Sequence, residues 1–280
     1  MRLSVISRIS VLALFVIAPL GALAGEQSFT RNINLPGKGN LAIASGAGTI
    51  QISQGPPGRL TITGHVKAND WHPTDDQLRD IAARPPIRQD RGIIYIGVSA
   101  EIPHVVIDYE IEAPADCILQ ASAAAGDIFD EGVGQNARFS TGSGDIHAIR
   151  LRGNITATSN QGNIEVEQNG QGEVKALSAT GNLELRNLHG ALRAATDAGS
   201  IKVSGVPAGD WSVQTGKGNI ELTLGKVACT IDAQAQAGLV HSDLQVVGAN
   251  GSDPRHIAGM INGGGHNVIL QVGEGEIHIL

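Results

Sequence analysis

Six copies of a glycine, small polar, aliphatic triad recur at a nearly fixed interval in this chain. They are Gly126-Asp127-Ile128, Gly144-Asp145-Ile146, Gly162-Asn163-Ile164, Gly181-Asn182-Leu183, Gly199-Ser200-Ile201 and Gly218-Asn219-Ile220, separated by 18, 18, 19, 18 and 19 residues. Looser copies stand at Gly48-Thr49-Ile50, Gly238-Leu239-Val240 and Gly275-Glu276-Ile277. A fixed period in this range, with two short alternating runs per copy, stacks each repeat on the next to bury a shared apolar face. The pattern predicts an all-β chain. The expected architecture is a single β-solenoid of about nine coils, with 18–19 residues per coil and one short helical insertion.

The columns of the repeat define an inside and an outside. Seven residues before each glycine stand Leu119, Ala137, Ile155, Val174, Leu192, Trp211 and Ile231. Five before it the residues are mostly Ala, and three before it come Thr141, Ser159, Ser178, Thr196 and Thr215. Two after it stand Ile128, Ile146, Ile164, Leu183, Ile201, Ile220 and Val240. Odd offsets before the glycine and even offsets after it are therefore apolar or small, so the glycine turns a corner between two strands of period 2. The alternate positions, such as Lys175, Arg193, Glu165, Glu184 and Lys202, face solvent. The polar residue after the glycine suits the tight turn. A left-handed hexapeptide helix is excluded, because stepping six from the −7 column lands on Ala125, Ser143, Gln161, Thr180, Ala198 and Lys217.

Residues 1–24 read as a secretory signal peptide: Arg2 and Arg8, an apolar stretch from Val11 to Leu20, then Ala22-Leu23-Ala24. Residues 25–280 are then one solenoid domain with excursions at about 67–92 and 247–267. The first contains the only helical pattern, Asp75 to Ala83, with Thr74 as its N-cap and Pro85-Pro86 as its stop. No second apolar run reaches the length of a membrane span, so no stable membrane insertion is expected after cleavage.

Losing Arg2 and Arg8 moves the net charge from −7 to −9. An acidic chain with 3% aromatics is a poor match for nucleic acid. Two cysteines in an exported chain invite a disulfide, but Cys117 and Cys229 each lie nine residues before a motif glycine, in equivalent places six coils apart. At about 4.8 Å per coil that is roughly 29 Å, so both are expected to be buried free thiols.

Catalytic chemistry finds little purchase. Asp127 and Asp145 would sit on adjacent coils about 5 Å apart, the spacing of a retaining carboxylate pair. With Asp130 they are the acids of a rival reading, a polysaccharide-active enzyme on a parallel β-helix. Their column continues as Asn163, Asn182, Ser200 and Asn219, which is turn chemistry. Glu165, Glu184 and Glu221 form an outward column broken by Lys202. His147 and His241 share that column five coils apart, and His256 and His266 lie in one irregular stretch without carboxylate or cysteine partners. No catalytic, cofactor-binding or metal-binding residue is assigned, and no cofactor is expected.

The repeated G-[DNS]-[IL]-x-aliphatic motif, the segment Tyr109 to Asp116 and the closing Gly263-Gly264-Gly265 through Gly275-Glu276-Ile277-His278-Ile279 resemble a bacterial candidate-adhesin family of β-strand-repeat proteins of unknown function. The resemblance covers nearly all of the mature chain. It implies an exported envelope location, periplasmic or at the cell surface, and a non-enzymatic scaffold binding an envelope protein or glycan. The chain is expected to be a monomer, with residues 247–267 covering the final coil. The inside–outside assignment has a direct test in urea denaturation. Leu183→Asp or Ile164→Asp should cost several kcal/mol by placing a charge in an apolar lumen, while Glu184→Ala should cost about 0.5 kcal/mol or less. Equal damage from Leu183→Asp and Glu184→Ala would reverse the faces.

Overall fold

The computed structural model describes residues 25–35, 37–69, 75–98, 102–248 and 253–280. The segment read as a signal peptide and the Thr74 cap lie outside the described residues. Each repeat forms one rung of two strands that meet at the motif glycine. Equivalent residues of neighbouring rungs pair in parallel register, so side chains of one column stack.

Ten rungs follow one another in space. The first is Ile93–Gly97 with Val105–Ala113, and the second is Asn40–Ala47 with Ile50–Gln54. The third is Ile118–Ala125 with Ile128–Glu131, the fourth Asn136–Ser143 with Ile146–Leu151, and the fifth Asn154–Gln161 with Ile164–Gln168. Val174–Thr180, Leu183–Ala198, Ile201–Lys217 and Ile220–Leu224 supply the sixth to eighth. The ninth is His266–Glu274 with Ile277–Ile279, and the tenth is Cys229–Ala237 with Val240–Ser242. The nine motif copies are all rungs. The additional rung, built on Val105–Ala113, escaped the count because Ile107-Asp108-Tyr109 replaces its glycine triad.

Chain order and spatial order differ at both ends, which corrects the expected sequential stack. The rung of residues 40–54 lies between those of 93–113 and 118–131. The C-terminal rung lies between the eighth and tenth, its Ile277 paired with Ile220 on one side and Val240 on the other. The chain end is therefore not the end of the solenoid. The cover over the final coil proves to be a cover over the tenth rung: His256–Ile261 pairs antiparallel with Cys229–Ala237, and the Val240 amide donates to Pro254 O. At the other end Ile87–Asp90 closes one strand of the first rung. Arg59–Ala68, itself flanked by Glu26–Asn34, closes the other, again antiparallel. The helix Asp75–Ala83 packs here through Leu78, and Arg31 donates to Ala83 O. Antiparallel caps occupy the backbone groups of the terminal rungs, which an open stack leaves free for another chain.

The lumen is lined as the columns predict. Ile164 and Leu183 are stacked and buried, Glu184 is exposed, and Trp211 and Phe139 are among the largest buried side chains. The −5 column is mostly buried alanine, with Phe139 and Val213 as its larger members. Cys117 and Cys229 are both free and buried. Insertion of the ninth rung sets them seven rungs apart rather than six, roughly 34 Å at about 4.8 Å per rung, far beyond bridging distance. Burial pushes the Cys117 thiol up to about 11 and raises that of Cys229. Alkylation under denaturing, non-reducing conditions should label both thiols; a Cys117–Cys229 disulfide peptide would contradict this stacking.

Candidate functional site

The corner triad decides what its acidic residues are free to do. In Gly126-Asp127-Ile128 the outer two amides donate to backbone carbonyls of the next rung, Gly126 N to Ser143 O at 2.8 Å and Ile128 N to Asp145 O at 2.9 Å. The middle amide of each rung has no such carbonyl. From the fourth rung to the ninth it donates instead to the side chain of the middle residue one rung before: Asp145 N to Asp127 Oδ1 at 2.8 Å and Asn163 N to Asp145 Oδ1 at 2.6 Å. The ladder continues through Asn163, Asn182, Ser200 and Asn219, whose Oδ1 accepts from Glu276 N at 2.9 Å. Asp108 makes the same bond separately, its Oδ1 accepting from Thr49 N of the second rung at 2.7 Å. Asp127 and Asp145 are neighbours, as read from the period, and each spends an oxygen on backbone.

A second ladder closes the other side of the corner. The glycine carbonyl accepts from the hydroxyl three residues before the next glycine: Thr141 on Gly126 O, Ser159 on Gly144 O, Ser178 on Gly162 O, Thr196 on Gly181 O and Thr215 on Gly199 O. Sequence reasoning saw this column as small and missed its role. The signal was the persistence of hydroxyls where alanine would fill the same space. Gly162 itself has φ +149, and a Cβ there would run into Gly144 O, so no other residue fits.

The outward column of the second strands runs Glu110, Gln51, Phe129, His147, Glu165, Glu184, Lys202, Glu221, His278, His241. Phe129 stacks on His147 with centroids 4.8 Å apart, and His147 Nδ1 lies 2.9 Å from Glu165 Oε2. This hydrogen bond and the Arg186 guanidinium hold Glu165 below the usual carboxylate range. Arg186 also pairs with Glu184, and Lys202 with Glu221 at 3.4 Å. A cleft of about 380 Å³ near the N-terminal end of this face is walled by Glu110, Glu112, Glu131, Phe129 and His147. The ninth rung moves His241 to six rungs from His147 and brings His278 beside it, ring centroids 5.3 Å apart. His256 and His266 do not meet: they align with Gln234 and Cys229, toward opposite ends of one strand. Contrary to expectation each has a carboxylate neighbour, Asp232 at 2.9 Å and Asp210 at 4.0 Å. Among the described residues no group of three His, Cys, Asp or Glu is placed to hold a metal ion.

The outward face of the first strands has the opposite character. Its central column reads Tyr95, Ala42, Gln120, Arg138, Thr156, Lys175, Arg193. Small side chains at Ala42 and Ala44 sink a cleft of about 440 Å³ between Tyr95 and Arg138, with Arg88 stacked on the Tyr95 ring at 3.8 Å. A second cleft of about 330 Å³ continues it past Asn136, Thr156 and Glu173 to Lys175.

The family model described as Toastrack DUF4097 matches residues 98–280. Comparison with curated protein sequences finds no match. Among solved structures the chain is similar to a candidate adhesin from Bacteroides fragilis, at 12% identity over 91% of this chain and 97% of that chain, with a TM-score of 0.50. It is also similar to a candidate adhesin from Parabacteroides merdae, at 11% identity over 91% of this chain and 96% of that one, with a TM-score of 0.44. The Bacteroides likeness shows the same fold.

Asp130 is the acid that no ladder accommodates. It faces inward between Ile52 and Ala148, 1% exposed, with Oδ1 accepting from Val133 N at 3.0 Å and Oδ2 unpartnered. Burial raises its carboxyl well above the ordinary range, against the smaller opposing effect of the Val133 amide. The folded state thus keeps a proton that the unfolded chain releases near pH 4, so stability falls as pH rises from about 4 toward the raised folded value. Asp130→Asn should raise the melting temperature at pH 7 by several degrees and lose that advantage below about pH 4. An Asp130→Asn variant less stable than the parent at pH 7 would mean that the carboxylate has a partner.

Proposed function

Because the chain belongs to the Toastrack DUF4097 family, we propose that it is an exported, non-enzymatic, adhesin-like scaffold of the bacterial envelope. Its stacked rungs present regular surfaces to a protein or glycan. The observation that carries this reading is the corner ladder. The two acids at carboxylate-pair spacing, Asp127 and Asp145, serve as acceptors for backbone amides in a series that asparagine and serine extend equally well. An acid replaceable by asparagine along one column is doing turn chemistry rather than proton transfer. Asp130, the third acid of the enzymatic reading, is sealed in the lumen where no polymer reaches it.

The candidate-adhesin descriptions of similar folds support a binding role, and the leader pattern of residues 1–24 supports export. With its terminal rungs capped by antiparallel strands, the domain is proposed to act as a monomer over residues 25–280.

Expression with the native leader, followed by cell fractionation, should yield a processed chain starting near Gly25 in the periplasmic or surface fraction and co-purifying with envelope material. Incubation with a polysaccharide panel should release no reducing ends or unsaturated products. Cytoplasmic retention, or turnover abolished by Asp127→Asn in a folded variant, would overturn the proposal.

A further inference from the structure

The two clefts on the face of the first strands share Gln120 and Arg138 and form one trough crossing the rungs from Tyr95 to Lys175. It spans five rung steps, roughly 24 Å at about 4.8 Å per rung. The chain carries 27 acids against 20 bases, and carboxylates hold only part of its cations. Lys67, Arg150, Arg186, Lys202, Lys217 and Arg255 all pair with carboxylates. Arg138 and Lys175 in the trough make no ion pair among the described residues, and Arg88 meets only the Tyr95 ring. The first cleft contains no carboxylate, and the second has Glu173 alone.

We infer that this trough binds an anionic polysaccharide, its carboxylate or sulfate groups taken by Arg88, Arg138 and Lys175 and its hydroxyls by Gln120 and Thr156. The inference rests on the scaffold reading above and names the ligand class for it. A guanidinium matches a planar carboxylate or a sulfate edge with two parallel donors, and a lysine adds a mobile point charge. Regular rungs set successive donors one step apart, with cations at Arg138 and Lys175 two steps from each other, which suits an extended polymer carrying spaced charges and hydroxyls. The exposed aliphatics of the trough, Val98 and Ile118, stand singly in separate clefts rather than as the central anchor cluster of a protein interface. The trough also lacks the free aromatic planes that stack nucleic-acid bases, since the Tyr95 ring is covered by Arg88. Three solvent-reached cations draw a polyanion more strongly than a neutral saccharide, so charge sets the specificity.

Affinity electrophoresis of the whole mature chain tests this, using gels containing polygalacturonate, dextran sulfate or neutral dextran. Retardation should occur with a polyanion and not with dextran, and should weaken as salt rises. Retardation by only one polyanion identifies carboxylate or sulfate as the anion. The exposed pair of changes Arg138→Gln and Lys175→Gln should weaken binding about tenfold or more, while Lys202→Gln on the opposite face should leave it unchanged. A parent protein that ignores both polyanions, or a double variant that binds as tightly as the parent, overturns the trough. Capture of an envelope protein or neutral glycan in that event would leave the scaffold reading standing. Catalytic turnover of the panel would remove both.

Discussion

Every rung depends on satisfying the backbone where it turns. A corner cut by a positive-φ glycine interrupts the sheet ladder for one amide and one carbonyl per rung, and each would cost free energy if buried or half-buried without a partner. The chain answers with two side-chain columns: an Asp, Asn or Ser that accepts the stray amide and a Ser or Thr that donates to the stray carbonyl. Both bonds run from one rung to the next. The stack therefore supplies what a single repeat lacks, and an isolated repeat has neither an enclosed lumen nor a finished corner. This is the physical content of its cooperativity.

The same accounting explains what was legible. Inside and outside could be read because alternation is strict and every column repeats: Leu183 and Glu184 fall on opposite faces in pattern and in structure. The helix Asp75–Ala83 was equally plain, set off by its prolines. The order of rungs was not legible. Pairing in parallel register depends only on column match, and Ile277 fits beside Ile220 as well as Val240 does. Sequence proximity favoured the wrong neighbour. Ile93 to Val98 and Val105 to Ile111 read as strands returning to the solenoid, but not as a coil of their own, because Asp108 keeps the amide-accepting role after the glycine is lost. The trough was invisible for a related reason: Tyr95, Ala42 and Gln120 come from distant parts of the sequence and become one column only through the interleaved N-terminal rung.

Alternation also separates function from stability. Inward and corner positions are fixed by packing and hydrogen bonding, so the variable chemistry of the molecule is confined to its two outward faces. One collects glutamates, histidines and their paired cations; the other carries unpaired Arg138 and Lys175 among amides and hydroxyls. Opposite electrostatic characters thus share one lumen and one set of corners. Substitution on either face leaves the scaffold intact because exposed side chains contribute little to it. Asp130 marks the boundary of that rule: a charged residue type in an inward column, kept neutral by burial.

The interleaved ends have a consequence for how such a molecule changes size. Because residues 40–54 and 266–279 are each held between two neighbours, the terminal arrangements are closed clasps of sequence-distant segments, whereas the fourth to seventh rungs touch only their predecessors and successors. Duplication or loss of one 18–19-residue unit in that middle stretch lengthens or shortens both faces by one step, with every corner bond re-formed and neither end disturbed. The architecture behaves as an extensible rod between fixed fittings: the reach of its surfaces is a matter of copy number, and its boundaries are a matter of topology.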